Sequence, residues 1–427
     1  MLPDPDPFDG NTGFDIIEFS MRDGNDTINL NSVGSYQGDV RSYVFDLGEG
    51  DDDANVNGAN TDVLFGTSLD FEFDCDGGND DVNFALGDFL SSTLTVEANG
   101  ETHSDDFNFV LGDIDANFVS FAEENGIGHG SVVDIDMDFS SGSIDTLTTI
   151  LGAVGYGSEV SYDAKGGSGN DRMGMIFNGV IDGTLIVNVS LDSGNDILDV
   201  QLNEEFGLGS QQIYIPTDNV QTVTQISHAE ARFNLNGNDG NDTMTVRAGE
   251  QQGPVERIAA GFSLGQDVYV AYGAFLDVRL MGGYGDDKTT LDFSTKAGLD
   301  LQGGFKLRMD GSHGKDTLLV RLYLAWCSTG EVDGDMRGGN DADKVYLYLD
   351  DNNDIVWVPD APALVPFPIG GVTYGPSGFF LQDGGSQTDK GFTRYNGDVL
   401  LAGETAGTPI YRRNIETILS VDPIPPV

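Results

Sequence analysis

The chain has 427 residues, 39% of them apolar, with 25 Phe and 14 Tyr, enough to bury a sizeable core and too apolar for wholesale disorder. Its net charge of −51, from 71 acidic against 20 basic side chains, excludes nucleic acid and anionic membrane surfaces as partners, since both need clustered Lys and Arg. Divalent cations are the natural counter-ions, above all for residues 1–213, which hold 42 acidic and 4 basic side chains, against 29 and 16 in residues 214–427.

Read from the start, residues 1–13 form a Pro/Asp-rich arm without the basic-then-apolar pattern of a leader. Residues 14–353 are short alternating runs, such as Tyr43-Val44-Phe45-Asp46-Leu47 and Leu185-Ile186-Val187-Asn188-Val189, which predict strands. Helix-period windows are missing, and no run of about 18 apolar residues crosses a membrane. Residues 354–382, with Pro359, Pro362, Pro366, Pro368 and the aromatics Trp357, Phe367, Tyr374, Phe379 and Phe380, are expected to leave the regular structure as a loop. Residues 383–422 return to strands, and 423–427 form a proline-rich tail. The 59 Gly follow no collagen-like period and mark turns.

One turn recurs. The pattern Gly-x-Asp-x-apolar is anchored at Asp26, Asp52, Asp80, Asp171, Asp196, Asp242, Asp287 and Asp316, with Thr289 the one departure from apolar and weaker copies at Asp105, Asp145, Asp343 and Asp389. Successive anchors are 26, 28, 25, 40, 26, 25, 46, 45, 29, 27 and 46 residues apart. A unit near 26 is too short for a propeller blade and fits one coil of a parallel β-solenoid with three short strands. The steps of 40–46 are either one unit with an insertion or two units with one turn lost. Insertions are expected near 112–131, 203–228 and 249–270. No proline lies between Pro7 and Pro216, as expected where every strand N–H must bond the next coil. A chain of antiparallel sandwiches would show turns every 8–12 residues rather than one acidic turn repeating at 26.

These turns resemble the haemolysin-type (RTX) calcium-binding repeat, Gly-Gly-x-Gly-x-Asp-x-apolar-x. Gly166-Gly167-Ser168-Gly169-Asn170-Asp171-Arg172-Met173-Gly174 fits throughout, and Gly282-Gly283-Tyr284-Gly285-Asp286-Asp287 fits through the Asp. In that family the nonapeptides run in tandem, whereas here one copy appears per coil, so a single row of sites is expected along one edge. The resemblance implies Ca2+ held by Asp26, Asp52, Asp80, Asp171, Asp196, Asp242, Asp287, Asp316 and Asp343 with backbone carbonyls of the glycine turns.

Elementary chemistry leads to the same expectation. Gly supplies positive φ, and Asn or Asp before the anchor tolerates left-handed geometry. Stacked carboxylates about 4.8 Å apart repel by roughly 3.5 kcal/mol at an effective dielectric near 20, and calcium would neutralise them with 6–8 oxygens. Lys315 is expected to offset Asp316 in place of an ion, and 112–145 to form a gap without metal. Solvated turn carboxylates are the alternative for any single copy.

No catalytic motif stands out. His103, His129, His228 and His313 are scattered, and the carboxylates are too many for any pair to be diagnostic of acid–base catalysis. Thr243-Met244-Thr245 is a lone Thr-x-Thr, too little for ice binding. Cys75 and Cys327 lie several coils apart and are not expected to pair. The expected protein is a secreted or cell-surface bacterial structural solenoid, calcium-stabilised and assembling head-to-tail as a filament, surface layer or adhesin stalk, with extracellular polysaccharide as a further partner. A carbohydrate-active β-helix enzyme is the alternative.

Overall fold

A computed structural model describes residues between 15 and 419, with its longest gaps at 115–129, 207–227, 249–267, 351–376 and 400–409. It is an all-β parallel solenoid. One strand of each coil joins a 15-stranded sheet, beginning with Asp15–Ser20, Val40–Asp46 and Ser68–Asp74, and the next joins a 16-stranded sheet, beginning with Thr27–Asn31, Asp53–Gly58 and Asp81–Leu86. Pairing is parallel and in register from coil to coil, as in Tyr43 opposite Phe71 and Val56 opposite Phe84. The antiparallel exception is Asp398–Val399, which turns back on Lys390–Tyr395.

The predicted third strand is reduced. Ser35–Gln37 pairs with Asp62–Leu64, and the column continues as single-residue bridges through Val63, Phe89, Ile114, Val154 and Val180. These bridging side chains are buried, so over these coils the third side closes the core with one apolar residue per coil, and further along it becomes a short strand again, Glu205-Phe206 pairing with Val268–Val270 and that strand with Leu299–Leu301. The other two sides carry the long alternating runs that the sequence predicts.

Alternation sends every second side chain inward, where in-register stacking brings like residues together. Phe19, Phe45 and Phe73 stack at centroid spacings of 4.9 and 4.8 Å, and Phe84 lies on Phe109 at 4.8 Å. Phe84 also meets Phe71 edge-on at 4.9 Å, joining the two sheets across the core.

The long steps are resolved by the pairing. Asp106–Leu111 pairs directly with Thr146–Leu151, and Ile197–Phe206 with Thr243–Ala248. Each such step is therefore one coil with an insertion. The inserted segments themselves lie largely outside the described residues, as do Trp326, Cys327 and Trp357. The described strand Ser377–Asp383 pairs with Glu331–Arg337, so the regular coil resumes inside the segment expected as a loop, and Phe380 is a fully buried core residue. Cys75 is buried and free.

At Gly50, Gly78, Gly240, Gly285 and Gly314 the turn glycine two residues before the anchor has a double reason. Gly78 and Gly240 have φ of 148° and 145°, and the place a Cβ would take is filled by the carbonyl of the equivalent glycine one coil earlier, Gly50 and Gly194. Asn at the next position is not left-handed. Among the described residues, the non-glycine ones with positive φ are Ser91, Asp192, Asn238 and Ser312, the last three of them four residues before an anchor.

Two substitutions separate these effects. Gly240→Ala is expected to lower stability by about 1–3 kcal/mol or more, from backbone strain and close approach together. Gly174→Ala, in a strand with no heavy atom within 4 Å of the new methyl, is expected to be neutral or slightly stabilising. Guanidinium denaturation of the two variants measures the difference.

Candidate functional site

The repeated turns form one edge of the solenoid, and their anchors form a continuous internal ladder. In each coil the backbone N–H of the anchor donates to the Oδ1 of the anchor one coil later. Asp26 donates to Asp52 at 2.6 Å, Asp52 to Asp80 at 2.8 Å and Asp80 to Asp105 at 3.0 Å. The series runs on without a break through Asp145, Asp171, Asp196, Asp242, Asp287, Asp316 and Asp343 to Asp389. Every anchor from Asp52 onward is buried.

A second ladder runs the opposite way. The residue before the anchor donates its N–H to the Asn or Asp Oδ1 of the preceding coil: Asn79 to Asp51 at 3.0 Å, Asn195 to Asn170 at 2.9 Å, Asn241 to Asn195 at 3.1 Å and Lys315 to Asp286 at 2.9 Å. The turn exposes two successive amides that no strand serves. One is capped by the coil after, the other by the coil before. This explains why Asn or Asp precedes Asp so often.

The two rows differ electrically. The outer row is exposed, and the Asn79 N–H holds the Asp51 carboxyl below its ordinary range. In the inner row burial dominates and like-charged neighbours add to it. It pushes Asp196 up to about 6, Asp80, Asp145, Asp242 and Asp343 to about 7, and Asp316 to about 8. The Oδ1 is hydrogen-bonded throughout, but the buried Oδ2 of Asp52, Asp80, Asp145, Asp171, Asp196, Asp242, Asp287, Asp316 and Asp343 has no hydrogen-bond partner.

Most of the sequence-predicted ligands are thus brought into one row, with two differences. Asp26 is exposed, because no rung precedes it among the described residues. Lys315 also points outward, exposed, while Asp316 points inward, so the lysine does not stand in for an ion; burial and then Asp287 and Asp343 set the Asp316 carboxyl. Asp105, Asp145 and Asp389, left outside the predicted ligand set, are full members. Their signal was an Asp heading a strand, as in Asp105-Asp106-Phe107, even where the glycine had drifted. The hydrogen-bond ladder itself runs unbroken from Asp105 to Asp145, past the insertion that begins near 112.

Among the described residues, no three His, Cys, Asp or Glu side chains converge to hold an ion by themselves. A cation on this row would need carbonyl oxygens as well as the spare Oδ2 atoms. Two histidines belong to the turn edge: His103 Nδ1 accepts the Gly78 N–H at 3.2 Å, and His313 stacks on Tyr284 at 4.6 Å. Compared with known proteins, the chain matches no family model, no curated protein and no solved structure.

The inner row gives a pH dependence of defined sign. Its carboxyls titrate higher in the folded chain than the ~3.9 of an unfolded Asp. Their contribution to stability is therefore full below about pH 4 and is lost as pH rises through the folded values of about 6 to 8. In EGTA the melting temperature is expected to fall between pH 5 and 8.5, as followed by circular dichroism.

Proposed function

We propose that this chain is an extracellular structural solenoid whose turn edge is stiffened by calcium and whose N-terminal coil receives a second copy. The observation that carries the reading is the row of buried Oδ2 atoms without hydrogen-bond partners. An unpaired buried carboxylate is strongly destabilising, so each rung needs a proton or a cation. Near neutral pH a hard divalent ion with oxygen ligands suits it. The resemblance of the turns to the haemolysin-type repeat supports calcium over magnesium, which demands a tighter octahedral shell.

End-on assembly draws support from the unlike ends. At the N-terminal end Asp15–Ser20 and Thr27–Asn31 each pair on one edge only among the described strands. Ile17, Phe19, Ile28 and Leu30 are only half-covered, and Ile16 is 58% exposed. Among the described residues, nothing fills the place beside Gly24 that a carbonyl fills beside Gly50 and Gly78. A further coil would find the same partners there that each coil finds inside the molecule. The C-terminal end is more closed, with Ile410 buried and Asp398–Val399 folded back. A second copy is the partner we assign to the open end, as in a surface layer or filament.

Melting curves at pH 7.5 in EGTA and in millimolar calcium test the first half. A shift upward with calcium is expected, about 2.7 kcal/mol for each independent site at a hundredfold excess over Kd, and equal melting points would refute it. Light scattering and electron microscopy of the same samples test the second: end-joined particles are expected, and Phe19→Asp is expected to return them to single particles.

A further inference from the structure

Twelve strands of the 16-stranded sheet, from Thr27–Asn31 to Lys390–Tyr395, each begin on the residue just after an anchor. Parallel pairing in register stacks these first residues into one column along the border of the sheet, beside the turn edge. With the coils counted by these strands, coils two, three and four begin with Asp53, Asp81 and Asp106, and coils nine, eleven and twelve with Lys288, Lys344 and Lys390. Coil seven, between the two groups, begins with Ile197, which is 44% exposed. Asp53 is half-buried and the other five charged residues are exposed.

Each group is strained by itself. Like charges directly opposite one another destabilise a sheet. Asp81 stands between Asp53 and Asp106, and burial first, then these two neighbours, raise its carboxyl. Lys344 stands directly on Lys390 in a chain with 71 acidic side chains. Among the described residues none of these six is in an ion pair. Neighbouring arginines on the same face are paired, Arg247 with Asp199 at 2.9 Å and Arg321 with Asp292 at 3.1 Å.

The groups match when one column is laid in reverse on another. A twofold axis through coil seven sets coil two against coil twelve, three against eleven and four against ten. Asp53 then meets Lys390 of a second copy, and Asp81 meets Lys344. Asp106 meets Thr317, with exposed Lys315 two residues before it. Thr146 faces Lys288, Arg172 faces Thr243, and Ile197 faces its own copy, so no like charges oppose along the column.

We propose that two copies lie side by side with antiparallel solenoid axes, joined along this border about a twofold axis at Ile197. The contact is isologous, so every pair forms twice. It follows the border rather than the whole face, because the next column at coils ten to twelve, Leu319, Tyr346 and Phe392, is buried with Leu419 packed on it. The net charge of −51 is screened beyond about 8 Å at physiological ionic strength, whereas pairs in contact still act. This contact is separate from the end-on one, and neither depends on the other.

Interchain cross-linking and a charge swap on the intact chain test it. Ile197→Cys, treated with oxidised glutathione at physiological ionic strength, is expected to give a disulfide-linked dimer, since a disulfide needs Cα atoms within about 7 Å. Thr317→Cys, three coils from the axis, is expected to give no more than the unsubstituted chain. In sedimentation velocity with Phe19→Asp present to suppress end-on joining, a dimer is expected. Asp81→Lys or Lys344→Asp is expected to return it to monomer, and the two together to restore the dimer. Circular dichroism melts establish that each variant is folded. No Ile197→Cys dimer, or a folded double variant that stays monomeric, would overturn the proposal. Loss with Lys344→Asp but not with Asp81→Lys would also overturn it, assigning the lysines to another anion.

Discussion

The structure depends on a single hydrogen bond repeated along one edge: the anchor aspartate's N–H given to the carboxyl of the next anchor. A parallel stack satisfies strand amides by itself, but a turn breaks the ladder and leaves amides facing inward. A buried N–H without an acceptor costs about 1–3 kcal/mol, and this molecule would carry one per coil. A side chain rooted at the same position of the neighbouring coil reaches the amide whenever the stack is in register. The bond therefore fixes the register as well as satisfying the donor, and the opposing Asn row checks it from the other side.

That solution has an electrostatic consequence. Using a carboxylate as a buried cap brings a charge into the core edge in every coil, about 4.8 Å from the next. The Oδ1 is well served and the Oδ2 is not. A neutral amide would cap the same N–H without this strain, and Asn does so in the exposed outer row. Retaining Asp in the buried row makes the edge responsive to protons.

The aromatic core and the turn edge support each other. Phe45 on Phe73 and Phe84 on Phe109 stack at the coil repeat, so a slip of one residue would turn these rings outward. The glycines two before the anchor pack backbone on backbone, leaving no room for a shifted coil. Insertions are tolerated between such fixed points: the 46-residue step from Asp196 to Asp242 closes with the same 2.9 Å bond as the 25-residue step from Asp171 to Asp196 closes at 2.7 Å.

The β character, the unit near 26 residues and the acidic edge were legible in the sequence because each is a local or periodic property. Alternation fixes which side chains can share a face, glycine fixes where the backbone can turn, and a repeat shows itself by spacing. The direction of the anchor was not local. Asp171 could equally face solvent within its own turn; only the stack behind it turns the carboxyl inward, toward an amide 26 residues earlier at Asp145. For the same reason Lys315 beside Asp316 suggested a charge pair, although adjacent residues point to opposite sides. Asp105, Asp145 and Asp389 read only as weaker copies in the sequence, and their place as full rungs was decided across the coil interface. Sequence set the period and the turn chemistry, and stacking decided which atom of each turn meets which neighbour.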